Sequence, residues 1–474
     1  MLPLFPVLLC LLLLLPAAGI CGPDEIVSGL DQQSSVAVTI YNQDLALIRD
    51  SRSLDLPAGR QTLAFREVSA RIRPETALLA APGLNVLEQN FEYDLLTPAS
   101  LLDKYVGKTV KLIKTHPTTG EEAAEEATVL SAGSGTVLRV GDRIEAGVVP
   151  GRLVFPDVPE NLRDRPTLTM LVDSKDGGKQ DAVLSYLTGG LSWKADYVAE
   201  LGADDASINL SGWVTLTNES GASYQNAKLQ LVAGEVNRVR ERIQPAMMSM
   251  RTLAAAPAMD EGMAEESMFE YHLYTLGRPT TIKEKQSKQV SLLHADSVKT
   301  DKEFVLQGQN YYYGSAAGNL GQKLKVGVFL ELKNSKEAGA GQPLPAGIMR
   351  VYKKDSSGTL QFVGEDRIDH TPENEIIRLK LGEAFDVTAN KKQTDFKKAS
   401  WTNGTAYESA YEIELKNAKD EAVTVKVVEP VPGDWQMLEE SAAHTKDSAH
   451  TAVWRVEIAP KASSTLTWRV RVKY

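Results

Sequence analysis

Disulfides, clustered histidines and a basic surface are all missing from this sequence, and each absence removes a class of function. Its two cysteines are Cys10 and Cys21. Cys10 lies in an apolar leader, so the rest of the chain has no pair with which to close a bridge, and its stability must come from packed cores. The six histidines (His116, His272, His294, His370, His444 and His450) stand singly. No His-Glu-x-x-His pair occurs, and His444 and His450 lie in a polar loop at a spacing that suits no metal set. The 62 acidic residues outnumber the 52 Lys and Arg, for a net charge of −10. Nucleic acid and anionic lipid surfaces are themselves anionic, so neither is expected as the main partner.

Catalytic motifs are missing too. Gly107-Lys108-Thr109 has Leu102 where a phosphate loop needs its first glycine. Gly133-Ser134-Gly135 lacks the spacing of a nucleophile elbow. Asp173 to Gly178 lacks the alternating ligands and distal Glu of a calcium loop. No catalytic residue, cofactor or metal ligand is therefore assigned, and the chain reads as non-catalytic. A hydrolase whose triad is drawn from distant residues is the alternative.

No apolar run reaches the ~20 residues that a bilayer-spanning helix needs. Leu2 to Leu15 is apolar but broken by Pro3 and Pro6, and it runs into Pro16-Ala17-Ala18-Gly19. A short apolar core followed by small residues reads as a signal peptide over residues 1–19, cleaved after Gly19. Its n-region holds no Lys or Arg. Cys21 admits a lipid anchor, but Ile20 and Ala18 occupy positions where a lipobox wants a small residue and a leucine. The expectation is export to the periplasm or cell surface, with no transmembrane span in the mature chain.

What is present is alternation. Val36, Val38 and Ile40 begin a period-2 pattern that marks half-buried strands. Tyr411, Ile413 and Leu415 repeat it, as do Val423, Val425 and Val427, then Trp454, Val456 and Ile458, then Leu466, Trp468, Val470 and Val472. Clean alternation implies one buried and one wet face, hence antiparallel sheets. The predicted fold is mostly β: several antiparallel β-sandwich domains of immunoglobulin-like or transthyretin-like type, plus a small β-barrel-like insert. Residues 33–95 form an N-terminal β region completed by 160–242, with the insert at 96–158 between them. Residues 269–400 form a sandwich, and the hairpins of 401–474 pack on it. Glu121 to Glu126 reads as a solvated loop. Trp193 and Trp213, on strands, read as core.

Three features invite a functional reading. Residues 243–268 carry six of the ten methionines and read as a flexible loop. Thioethers could hold copper(I) there, which makes a copper-handling protein a second alternative. Tyr311-Tyr312-Tyr313 sits in a Gly/Asn/Ser-rich loop. Adjacent aromatics cannot all point inward, so Tyr311, Tyr312 and Tyr313 are the candidate contacts for an envelope protein or polysaccharide. Finally, three strands end on asparagine, at Asn218, Asn334 and Asn417, as the residue's tolerance of turns favours.

Four stretches carry a resemblance. Tyr41 to Asp50, Leu191 to Tyr197, Leu229 to Gly234 and Leu344 to Tyr352 resemble the bacterial domain of unknown function 4139 family. That resemblance implies a cell-envelope location and brings no catalytic residue with it.

Overall fold

The computed structural model describes residues 25–133, 135–149, 151–159, 162–234, 237, 263–268, 271–399 and 404–474. The leader, Cys21 and residues 243–262 of the methionine-rich stretch lie outside them. The described residues fall into two compact units, and β-strand dominates both.

Among the described residues, the first unit comprises 25–37, 47–189 and 220–224. A four-stranded sheet runs Ile26–Ser28, Gly59–Arg66, Thr167–Ser174, Leu84–Glu92. A second, five-stranded sheet runs Arg143–Gly147, Thr136–Val140, Glu122–Ser131, Thr109–Thr115, Arg152–Val154. It packs Val110, Leu112, Val129, Leu138 and Tyr105 into a small core. The helix Pro98–Lys104 precedes it, with the Thr97 side chain accepting the Ser100 N–H at 3.0 Å.

This insert differs from the expected barrel. Its outer strands, Arg143–Gly147 and Arg152–Val154, each have one neighbour, so the sheet is open. Nor is the acidic run a solvated loop. From Glu122 onward it is strand, because cations face it: Glu126 pairs in register with Lys111, Glu125 meets Arg143 at 2.8 Å and Glu122 meets Arg152 at 2.8 Å. Cross-strand partners of opposite sign relieve the repulsion that would otherwise keep such a run out of a sheet.

The same unit buries a whole guanidinium. Arg52 is fully enclosed and donates to Asp50 at 2.8 Å, to the Ser28 carbonyl at 2.7 Å and to the Arg66 carbonyl at 2.9 Å. The Phe65 ring lies 3.8 Å from its central carbon. The partners are met from three separate nitrogens of one planar fork, a spread that the single nitrogen of a lysine does not have, so this position favours arginine.

The second unit comprises the described residues of 38–46, 190–219 and 225–474. Leu191–Leu201 and Ser207–Asn218 form a hairpin, and Gly347–Lys354 joins Leu191–Leu201 in parallel. The long strand Gln286–Gln307 then changes partners. Its first part pairs with Ser207–Asn218 and its last part with Asn319–Lys333 and, in parallel, with Val423–Pro430. That fork opens the C-terminal sandwich. One sheet continues through Asn319–Lys333, Ile376–Ala399, Ala406–Asn417, Ser463–Lys473 and Asp434–Glu440, and the other through Val423–Pro430 and Thr451–Ile458. Val425, Val427, Trp454, Ile413, Leu415, Leu466, Trp468 and Val470 meet between them.

Two further expectations are corrected here. Met263–Met268, read as the end of a loop, is a strand paired with Tyr271–Leu276, and Met263 is buried. Trp213 is 42% exposed. Ile208, Leu210, Val214 and Leu216 set the buried phase of its strand, and Trp213 falls on the other face. Trp193 is core, as read.

Asp50→Asn should cost about 3–5 kcal/mol in denaturant unfolding, because it leaves the Arg52 charge buried without its counter-charge. Arg52→Lys should also destabilise, since one ammonium cannot satisfy the three acceptors that the fork spans. Wild-type stability in both variants would remove Arg52 as the organiser of this unit.

Candidate functional site

The inward faces of two facing strands each end on a charge. Along Ile376–Ala399 the buried positions Val387 and Ala389 are followed in phase by Lys391 and Gln393. Along Val423–Pro430 the buried Val423, Val425 and Val427 are followed in phase by Glu429. Period 2 therefore drives both charges into the sandwich. There they meet, with Lys391 Nζ 2.5 Å from Glu429 Oε1 and side chains 4% and 0% exposed.

Tyrosines complete the cluster. Residues Tyr311–Tyr313 form one 3-10 turn, and its second and third members point inward. Tyr312 donates its hydroxyl to Glu429 Oε2 at 2.5 Å, and Tyr313 does so at 3.1 Å. Lys391 also donates to the Tyr312 hydroxyl, its Nζ 4.1 Å from the ring centre. Tyr411 donates to the Tyr312 carbonyl at 2.9 Å and stacks on Trp468 at 5.1 Å. Gln393 donates to the carbonyls of Tyr312 and Ser315, both at 3.1 Å, and accepts the Ala317 N–H. Gly308 leaves the space for this: a Cβ there would lie 2.3 Å from Glu429 Oε2.

Electrostatics follow from the enclosure. Burial first, and then the Glu429 charge, hold the Tyr312 and Tyr313 hydroxyls far above their usual range. Burial raises Tyr411 to about 12. Burial lowers Lys391, and Glu429 opposes that shift in part. Lys391, Glu429, Tyr312, Tyr313, Tyr411 and Gln393 find partners inside the cluster, while the buried Trp468 indole N–H has none, so the arrangement fixes the turn rather than offering a reactive group to solvent.

The turn in its fixed position presents Tyr311. The candidate face of three tyrosines thus narrows to one: Tyr311 is 66% exposed, while Tyr312 and Tyr313 are core. Tyr311 does not stand alone. With Asn310, Gly314, Thr405, Tyr407, Pro432 and Tyr474 it lines an open cleft of about 530 Å³. Tyr407 and Tyr474 meet edge to face at 6.1 Å, and Phe396 stacks behind Tyr407 at 5.2 Å. The lining carries no charged side chain. Sequence reading missed Tyr407, Pro432 and Tyr474, which come from three separate segments with no shared spacing. It also missed Lys391 and Glu429, although their position in phase with buried valines and alanine was a usable signal. Among the described residues, no three His, Cys, Asp or Glu side chains converge on a position that could hold a metal ion.

The profile of a family described as "Domain of unknown function (DUF4139)" matches residues 182–474. This range includes the resembling stretches at Leu191, Leu229 and Leu344 and leaves the one at Tyr41 outside. No curated protein matches the chain.

Lys391→Met should cost about 3–5 kcal/mol by stranding the Glu429 charge, and Lys391→Met with Glu429→Gln should cost less than the single change. Additive losses in chemical denaturation would refute direct pairing. Stability should also depend on pH in two opposed ways. The unfolded lysine holds its proton more firmly than the folded one, so Lys391 makes stability rise with pH toward 10.5. Tyr411 contributes stability that is intact below pH 10 and lost between pH 10 and about 12, where the unfolded phenol ionises first. Thermal scans across that range should fall steeply for the native chain and less steeply for Tyr411→Phe.

Proposed function

The chain belongs to the DUF4139 family, and on that footing we propose that it is a non-catalytic bacterial cell-envelope protein, exported to the periplasm or cell surface, that binds another envelope protein or a surface polysaccharide through the cleft beside Tyr311. The observation that carries this reading is an exposed tyrosine on a turn locked from beneath by a buried ion pair. Binding residues tend to lie on loops held by a rigid scaffold. A side chain already held in place loses little freedom when a ligand docks, so less of the contact energy is spent on ordering. Tyrosine offers a ring for stacking and a hydroxyl for hydrogen bonding, which suits both sugar and peptide. The uncharged side chains of the lining fit an uncharged stretch of either.

Export is supported by the leader and by the small residues before Ile20. Mass spectrometry of the native protein should find an N-terminus near Ile20, and a diacylglycerol on Cys21 would instead make it a lipoprotein.

The binding role is tested by Tyr311→Ala and Tyr474→Ala. Crosslinked pull-down from membrane extract should recover a partner with the native chain. Each variant should weaken that retention by roughly tenfold or more, as truncating a central aromatic does. The thermal transition should stay within a few degrees, because both rings are exposed. Unchanged retention in both variants removes the cleft as the binding face. Turnover of an envelope substrate that a single Ser, Asp or Glu substitution abolishes ends the non-catalytic reading.

A further inference from the structure

A second concavity in the same unit has a different chemistry. Where Asn319–Lys333 pairs with Ile376–Ala399, Lys325 faces Thr388 but Gly327 faces Glu383. Ala384 to Val387 therefore bulge from the ladder, and the bulge turns Phe385 out until it is 94% exposed. Bulges of this kind concentrate beside binding and active sites, where they re-aim a side chain. Across the gap, the strand Leu360–Ile368 lies so close to Leu381 that a Cβ on Gly364 would sit 2.3 Å from the Leu381 oxygen. The result is a groove of about 340 Å³.

Its walls are apolar: Phe304, Val328, Phe329, Val363, Leu381 and Phe385. Its charges are Lys302, Lys353 and Lys419 against Asp205 and Asp386. Lys302 and Lys353 both donate to the one carboxylate of Asp205, the former at 2.7 Å, and Lys353 also reaches the Ala203 carbonyl at 3.0 Å. Two ammonium groups on one carboxylate leave a positive charge over at that end of an apolar slot. Burial alone would raise the Asp205 carboxyl, yet the two lysines outweigh it and hold the group below its usual value. The same Lys302 ammonium lies 5.5 Å from the Phe304 ring centre, and that of Lys419, which also pairs with Glu421 at 3.2 Å, lies 5.4 Å from it.

We infer that this groove binds an amphiphilic carboxylate, a free acyl chain lying along Phe304, Val328, Phe329, Leu381 and Phe385 with its carboxylate completing the Lys302–Asp205–Lys353 cluster. The volume is at the lower end of small-ligand pockets, and apolar walls with a few convergent polar groups are their usual make-up. An amine of the same length meets the surplus positive charge and is repelled. An alcohol gains the walls but not the cluster. The site is independent of the aromatic cleft, and neither reading needs the other.

The test is displacement of fluorescent dansyl-undecanoic acid from the purified full chain. Dodecanoate should displace it at least tenfold more effectively than dodecanol, and dodecylamine should be weaker still. Lys353→Met should reduce dodecanoate to the level of dodecanol. Val363→Trp, which fills the groove, should abolish displacement. Should Val363→Trp lose its thermal transition, Phe385→Ser takes its place, since that ring is exposed and its loss should weaken binding several-fold without unfolding. Equal displacement by amine and carboxylate overturns the inference, as does dodecanoate binding that survives both Lys353→Met and Phe385→Ser. Retention on phosphatidylglycerol vesicles without displacement by any free carboxylate overturns it too, by assigning the face to a membrane lipid.

Discussion

A carboxylate in a dry core must be matched by a cation, and the C-terminal sandwich is arranged around that requirement. Glu429 without a partner would cost several kcal/mol in desolvation. Lys391 cancels the charge, Tyr312 and Tyr313 saturate one carboxylate oxygen, and Gly308 gives up its side chain so that the group fits. Once those positions are taken, the 3-10 turn has a single place to lie, and Tyr311 has to face outward. Such a pair adds little net stability over well-packed apolar residues; what it fixes is geometry. Arg52 and Asp50 apply the same solution in the first unit, where the guanidinium ties strand carbonyls rather than hydroxyls.

Much of the framework was legible because period 2 is a strong signal when one face is buried. Ile413 and Leu415, Val425 and Val427, Trp454, Leu466, Trp468 and Val470 all lie where alternation puts them. The failures have identifiable causes. Trp213 was judged by residue type, whereas the phase of its neighbours decides its side. The acidic run at Glu122 to Glu126 was judged by its own charge, and the cations that make it a strand come from Lys111, Arg143 and Arg152. Apart from those readings, Phe385 is in phase with the buried Val387 and Ala389, and only the bulge, which no single strand sequence encodes, throws it out.

Asn218 and Asn417, which end their strands, and Asn334, which follows its own, show how a correct local reading can miss its purpose. Residue type marks them as turn formers, and each does precede a turn or bend. In the fold they are buried. Asn334 donates to the carbonyls of Gln342 and Pro372 at 2.8 and 2.9 Å and accepts the Gly341 N–H at 3.0 Å. Asn417 donates to Glu421 at 2.7 Å and accepts the Lys419 N–H at 2.9 Å. One carboxamide supplies the donors and the acceptor that a buried loop backbone needs. One member of the cleft was visible in the same way: Tyr311 stood out on a loop, but its companions Tyr407, Pro432 and Tyr474 are brought together only by the fold.

The parallel pairing of Phe304 to Gln307 with Val425 to Val428 has a consequence in time rather than in space. Lys391 and Glu429 are 38 residues apart and Tyr312 and Glu429 are 117, so the whole cluster is complete only after the longer loop has closed and its entropy has been given up. Local hairpins such as Ala406–Asn417 with Ile376–Ala399 need no such closure and can assemble beforehand. Contacts made after the folding barrier leave the folding rate nearly untouched and slow unfolding instead. The Lys391–Glu429 cluster thus acts as a late latch. A cluster completed last would show itself in the lifetime of the folded sandwich more than in the rate at which it folds.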